Sequence, residues 1–218
     1  RLRSFNQGEF YVYSPDRGLT GMDTIKVADG RFSYETTLGD EATFIIVFPN
    51  YSELPVFGKS GTTAEISGDA SHLKEVEIHG EKNNEDMTAF RLSVANMTPP
   101  QAKKAAEEYI SKNPKSIVSL YLIRKYLINT KEPDYEKAYT LTKAMVDADK
   151  NNARASMLLS QLKELRHVKK GGRLPSFSAT DIEGKAVSGA KLKGKLNVII
   201  SWAGWNYESV SMQRELRK

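Results

Sequence analysis

The residues predict an α+β fold in three parts: a β-rich, antiparallel N-terminal domain over 1–95, a helical spacer of about four helices over 96–170, and a short strand–helix unit over 171–218. Three observations predict it. Runs of β-forming residues alternate with turn signals up to about residue 95. Apolar residues then recur at helical spacing from Ala102 to Leu165. The glycine pair Gly171-Gly172 follows a basic run, as at a helix C-terminus leading into a linker, and strand-like residues return from Leu174.

Within the first part, Phe10-Tyr11-Val12-Tyr13 is a strand candidate stopped by the turn residues Ser14-Pro15-Asp16-Arg17-Gly18. Thr24–Val27 and Arg31–Thr36 alternate about Ala28-Asp29-Gly30, a hairpin turn in which the glycine takes positive φ. Thr43–Phe48 is a continuous apolar strand ended by Pro49-Asn50. Further strands are expected at Pro55–Phe57, Thr63–Ser67 and Lys74–His79. Many short strands at this spacing suggest an antiparallel sandwich or a barrel-like sheet.

In the second part, Pro99 and Pro100 suit a first helical turn, and Ala102, Ala105, Ala106, Tyr109 and Ile110 share a face. Asn113-Pro114 breaks that helix. The next carries Ile117, Leu120, Tyr121, Arg124, Leu127 and Ile128 on one stripe. Glu132-Pro133-Asp134 opens a third helix, with Tyr135, Ala138, Tyr139, Thr142, Met145 and Val146 inward. Asn151-Asn152 separates a fourth, with Ala155, Leu158, Leu159, Leu162 and Leu165 as its apolar stripe. Short links imply antiparallel neighbours. The helix pairs bear a superficial likeness to tetratricopeptide repeats, but the residues show no internal repeat.

Composition narrows the function classes. Hydrophobic residues make up 39% and charged residues 27%, which suits a globular protein. The longest apolar runs, Phe44–Phe48 and Val198–Trp202, fall far short of the roughly 20 residues of a membrane helix; no transmembrane segment is expected. The net charge of +5 is spread along the chain. Its densest cluster, Arg166, His167, Lys169, Lys170 and Arg173, lacks interleaved aromatics, so it reads as a solvated helix end and not as a nucleic-acid interface. There is no cysteine, which excludes disulfides, thiolate metal ligands and thiol catalysis within these residues. His72, His79 and His167 have no acidic partner at metal-ligand spacing. Neither a metal nor a cofactor is expected. Gly58-Lys59-Ser60 lacks the upstream glycine of a phosphate loop. Glu107-Glu108 reads as a solvated helix face, and Asn50-Tyr51-Ser52 and Asn96-Met97-Thr98 match a glycosylation pattern at chance-level specificity.

The last segment carries a recognisable order of motifs. Leu174-Pro175-Ser176-Phe177-Ser178 is followed by Asp181-Ile182-Glu183-Gly184-Lys185, then by Leu192-Lys193-Gly194-Lys195 and Val198-Ile199-Ile200-Ser201-Trp202-Ala203-Gly204-Trp205. This resembles the opening of thioredoxin-like cell-envelope proteins of the AhpC/TSA and TlpA-like type. In that family a Cys-x-x-Cys follows at once; here Asn206 and Ser209 hold the matching positions. The segments around Val27–Ser33 and Val76–Glu85 resemble the β-rich DUF4369 family, which precedes such domains in secreted or lipid-anchored bacterial proteins.

What the resemblance implies is a cell-envelope location, periplasmic or outer-membrane-anchored, with any lipid anchor upstream of residue 1. It also implies that central strands, a helix and a cis-proline loop lie beyond Lys218, since a whole domain needs about 100 residues. The apolar strand Val198–Ser201 is then expected to be covered by another element or subunit. No catalytic residue remains. Thiol exchange needs a thiolate at a helix N-terminus and a second thiol to resolve the mixed disulfide. The Asn206 amide is no nucleophile, and the Ser209 hydroxyl lacks an adjacent base. Asn206 instead suits a helix N-cap. Trp202 and Trp205 flank the active site in the family; here they read as core and lid residues or, with Tyr207, as a surface for a partner peptide. The leading expectation is a redox-inactive interaction or scaffolding module with a protein partner or self-association. The alternatives are an oxidoreductase or peroxiredoxin-like protein whose cysteines lie beyond residue 218, and a ligand-binding β-domain.

Overall fold

A computed structural model describes residues 1–16, 18–169, 171–172, 174, 176–192, 194–200 and 207–216. The fold is α+β. The chain divides into two compact units, Arg1–Gly172 and Arg173–Lys218.

The first unit holds two sheets. One has four antiparallel strands in the order β3-β2-β4-β5: β2 Gln7–Tyr13, β3 Met22–Ala28, β4 Ala42–Val47 and β5 Glu53–Gly58. The other joins β1 Leu2–Arg3, β6 Glu65–Asp69 and β7 Glu77–His79 in the order β1-β6-β7, with β1 parallel to β6. Strand alternation sends Phe10 and Val12 of β2, Ile25 and Val27 of β3, and Phe44 and Ile46 of β4 into one core. Leu2, Val76 and Ile78 from the smaller sheet join them there. Two open sheets facing each other over a shared core make a sandwich. Phe10 is its centre, fully buried and in ring contact with Phe5, Phe32 and Phe48.

The opposite face of the four-stranded sheet is buried as well. Ile45 and Phe57 belong to the helical core, with Tyr13 and Val47 packed against it. This explains the unbroken apolar run in β4: a strand covered on both faces does not alternate.

The Ala28–Arg31 turn forms as expected. Asp29 and Gly30 both take positive φ, 52° and 68°, the signature of a type I′ turn. The second strand does not form. Beyond an isolated Ala28–Arg31 bridge, residues 32–38 run without partners in either sheet. Phe32, Tyr34 and Leu38 pack on the sandwich core instead, and the Tyr34 hydroxyl donates to Asp23 at 3.1 Å. Alternation marked the buried side chains correctly but not the backbone pairing. Only Glu77–His79 of the expected 74–79 strand pairs as a strand; Leu73–Glu75 is a 3-10 turn.

A helix that periodicity does not reveal follows: α1, Lys82–Ser93. Its inward face is partly polar, with Asn84 and Thr88 buried beside Met87 and Phe90. The polar groups serve the sheet edges. Strand β5 ends the larger sheet, and Phe57 there donates its N–H to Asn84 Oδ1 at 2.7 Å and accepts from Asn84 Nδ2 at 2.8 Å. One turn along, Thr88 Oγ1 accepts from the Ile78 N–H of β7, the edge of the smaller sheet, at 3.4 Å. Arg91 donates to the carbonyls of Leu73, at 2.6 Å, and Val76.

Four further helices match the sequence pattern: α2 Pro99–Lys112, α3 Ile117–Ile123, α4 Tyr135–Ala148 and α5 Ala153–Leu165. Each has a local start signal. Gln101 accepts from the Thr98 N–H at 2.9 Å, and Ser116, Asp134 and Asn152 accept N–H groups of the first turns of α3, α4 and α5. Helix α3 continues as a π-turn over Arg124–Ile128, closed by the Asn129 N–H on the Arg124 carbonyl at 2.7 Å. The starts of α4 and α5, Tyr135 and Ala153, lie 36 residues after those of α2 and α3, Pro99 and Ile117. Ala102 and Ala138, Ala106 and Thr142, Ser119 and Ala155, and Leu122 and Leu158 are buried at equivalent positions. Two equivalent helical hairpins are therefore present where no repeat is visible in the residues.

In the second unit, β8 Ser178–Thr180 and β9 Ala186–Ser188 form an antiparallel hairpin. The Asp181 carboxylate closes its turn by accepting from the N–H groups of Glu183 and Lys185 at 2.9 and 2.8 Å, and Gly184 takes φ 80°. Helix α6 spans Tyr207–Leu216. The expected strand at Val198–Ser201 is not formed by its described residues: Val198–Ile200 carry no strand pairing, and Val198 and Ile199 are 69% and 54% exposed. Among the described residues, no helix is long and apolar enough to cross a membrane.

Two outcomes follow. Asn84→Ala leaves a buried strand N–H and C=O without partners, and should lower stability by about 2–4 kcal/mol in urea unfolding; a loss below ~1 kcal/mol would contradict the edge-sealing role. Limited trypsinolysis should cut first near the exposed Lys169 and leave a protected fragment covering α1–α5, read by intact mass. A first cut inside α2–α5 would show that the helices are not held by the shared core.

Candidate functional site

Of the residues singled out in the sequence, Trp202, Trp205 and Asn206 lie outside the described residues. Tyr207 opens α6, and Ser209 sits half-buried in its first turn. Three other places gather polar side chains.

The first is a nucleophile–base–acid set that the sequence reading missed, because its members are almost adjacent in the chain. Ser71 Oγ lies 2.6 Å from Asp69 Oδ1 and 2.9 Å from His72 Nδ1, and Ser4 Oγ donates to Asp69 Oδ2 at 3.0 Å. Bonds from the Ser71 side chain and N–H, then from Ser4, hold the Asp69 carboxyl down at about 2. Such a carboxylate is a poor base at neutral pH. The order is also wrong for nucleophilic catalysis, since the acid contacts the serine and not the histidine. Ser71 and His72 are exposed, and Asp69 is half-buried. The set closes an Asx turn at the end of β6.

The second is a groove of about 580 Å³ lined by Arg1, Arg3, Ser67, Gly68, Glu75 and Glu77. Its walls carry both signs of charge. His79 Nε2 sits 3.1 Å from Glu77 Oε2 beside it. Among the described residues, no group of three or more His, Cys, Asp or Glu could hold a metal ion.

The third is a polar seam at the sheet–helix junction. Asp16, in the turn after β2, has a side chain only 4% exposed. It accepts from the Thr43 N–H at 3.1 Å and from Ser14 Oγ at 2.8 Å, and lies 3.8 Å from Arg154 Nε. Arg154, in the first turn of α5, also reaches Asp40 at 3.2 Å. Burial pulls the Arg124 guanidinium down, and the charge of Asp16 works against that pull. Beside it, Asn83 Nδ2 donates to Glu41 at 2.6 Å and to Glu81 at 3.1 Å, while Asn83 Oδ1 accepts from Ser116 Oγ at 3.2 Å. Glu81 and Ser116 are the N-caps of α1 and α3. The seam joins the start of β4 to three helix N-termini. Its two serine hydroxyls, Ser14 and Ser116, are spent on Asp16 and Asn83, so the arrangement ties these elements together. Only the turn signal at Ser14–Gly18 points to it among the residues; the rest arises from contacts between distant segments.

No curated protein and no solved structure matches the chain. The family model described as Domain of unknown function (DUF4369) matches residues 1–87, which take in both sheets of the sandwich and the first half of α1. The N-terminal 87 residues are a DUF4369 domain.

Proposed function

We propose that the chain is a redox-inactive, thioredoxin-like interaction module of the cell envelope, in which the sandwich and its helices act as a rigid scaffold for a protein partner or a second copy. The observation that carries the non-catalytic part is the composition: 218 residues without a cysteine, with Asn206 and Ser209 where the thioredoxin-like motif has its thiols. Two features support the scaffold part. Two equivalent helical hairpins share one core with the sheet, and stacked hairpins of this kind offer extended surfaces for partners. In the second unit, a hairpin followed by a helix that starts one residue after Asn206 agrees in order with the thioredoxin-like reading. The envelope location rests on the resemblance of the sequence.

The test uses the full chain. The wild type should show no dithiol-dependent reduction of insulin, and turnover above background would sink the redox-inactive reading. The variant carrying Asn206→Cys and Ser209→Cys should close an intrachain disulfide in a glutathione buffer, because a Cys-x-x-Cys at a helix start favours the thiolate. If those cysteines stay reduced or pair only between chains, the thioredoxin-like reading fails while the scaffold reading stands.

A further inference from the structure

Among the described residues that meet at the foot of β4, carboxylates outnumber cations. Four carboxylates, Asp16, Asp40, Glu41 and Glu81, face three cations, Lys59, Arg124 and Arg154. Two of the carboxylates converge on a single nitrogen. Asn83 Nδ2 donates to Glu41 Oε1 at 2.6 Å and to Glu81 Oε1 at 3.1 Å, so the two acceptor oxygens cannot be more than about 6 Å apart. Both glutamates are half-buried. Like charges held this close disfavour ionisation of one of the pair.

The surroundings of Glu41 do not remove the excess. Glu81 faces it from α1, Lys59 from the β5–β6 connection, Arg154 from α5, and Asp40 from its own loop. Arg154 is already engaged by Asp40 at 3.2 Å and Asp16 at 3.8 Å. Burial first, and then the charge of Glu81, push the Glu41 carboxyl above its ordinary 4.5; Lys59 and Arg154 oppose the shift without cancelling it. Both partners of the pair hold structure. Glu41 immediately precedes β4, and Glu81 caps α1 by accepting the Asn83 N–H at 2.8 Å. Asn83 links them to Ser116, the cap of α3.

We propose that Glu41, Asn83 and Glu81 form a proton-responsive clamp between the start of β4 and the N-termini of α1 and α3. One proton taken up by the glutamate pair tightens it, and loss of that proton as the pH rises weakens it. In the closed state one glutamate is a neutral acid, and the Asn83 amide donates to both. The sign follows from linkage. A carboxyl raised on folding binds its proton more tightly in the native state. That contribution is therefore complete below the unfolded pKa and disappears as pH rises through the folded one. The clamp does not depend on the redox reading.

The experiment is thermal unfolding of the full chain, followed by helical circular dichroism, at pH 5 and pH 7.5. It compares wild type, Glu41→Gln, Glu81→Gln and the exposed control Glu9→Gln. Glutamine keeps the shape and hydrogen bonds of a protonated glutamate. Glu41→Gln should raise the pH 7.5 midpoint by about 2–4 °C and leave the pH 5 midpoint nearly unchanged. Carboxyl-carbon NMR titration of the same proteins separates the clamp from a general stability effect. The Glu41 midpoint should lie above that of Glu9 and fall in Glu81→Gln. A Glu41 midpoint equal to that of Glu9, or one that Glu81→Gln leaves in place, would overturn the proposal. So would a Glu41→Gln protein no more stable than wild type at pH 7.5.

Discussion

The first unit depends on a helix whose inner face is partly polar. A sandwich of two open sheets exposes strand edges, and a buried edge group left unpaired costs about 1–3 kcal/mol. Helix α1 meets that demand on both sheets at once. Asn84 pairs with the N–H and C=O of Phe57 as a neighbouring strand would, and Thr88, one turn later, takes the N–H of Ile78. Met87 and Phe90, from the same helix, enter the helical core. The helix thereby fixes where the remaining helices pack, because its N-cap Glu81 and its Asn83 hold the seam against β4 and α3.

That arrangement makes the sandwich and the helices energetically interdependent. Ile45 of β4 faces the helices, while its neighbours Phe44 and Ile46 face the smaller sheet. A change in β4 is felt by both cores, since close-packed interiors transmit even single-methylene changes. The buried Asp16 reinforces the same joint. A lone buried carboxylate would be costly, yet this one accepts from the Thr43 N–H and Ser14 and stands near Arg154. Its contribution is chiefly to registration: the turn after β2, the start of β4 and the first turn of α5 must all be in place before the charge is satisfied.

Much of this fold was legible because local chemistry and packing agreed. Pro99-Pro100, Asn113-Pro114, Glu132-Pro133-Asp134 and Asn151-Asn152 announced four helix starts, and the unbroken apolar run at Thr43–Phe48 announced β4. Legibility failed where backbone groups were satisfied by distant side chains. The segment Arg31–Thr36 alternates like a strand, yet it packs its rings on the core without pairing. Lys82–Ser93 has too little apolar periodicity to read as an amphipathic helix, because the face that packs is the one carrying Asn84 and Thr88. The candidate seam was less legible still. Asp16, Glu41, Glu81, Asn83, Ser116 and Arg154 come from segments up to 138 residues apart, and no motif spacing connects them.

The paired helical hairpins carry the last step. Their 36-residue offset holds in the starts of the helices, but the buried residues at equivalent positions are identical only in part: Ala102 answers Ala138 and Leu122 answers Leu158, whereas Ala106 answers Thr142 and Ser119 answers Ala155. At the two differing pairs what is shared is small volume where helices approach closely. The Thr142 hydroxyl is buried there without a hydrogen-bond partner among the described residues, while that of Ser119 donates to the Asn113 carbonyl at 2.7 Å. A repeat specified by volume and capping leaves its outer faces unconstrained by the core. Those faces are where a scaffold can change partners without changing fold, which is why an interaction role is compatible with a chain whose buried residues are so tightly determined.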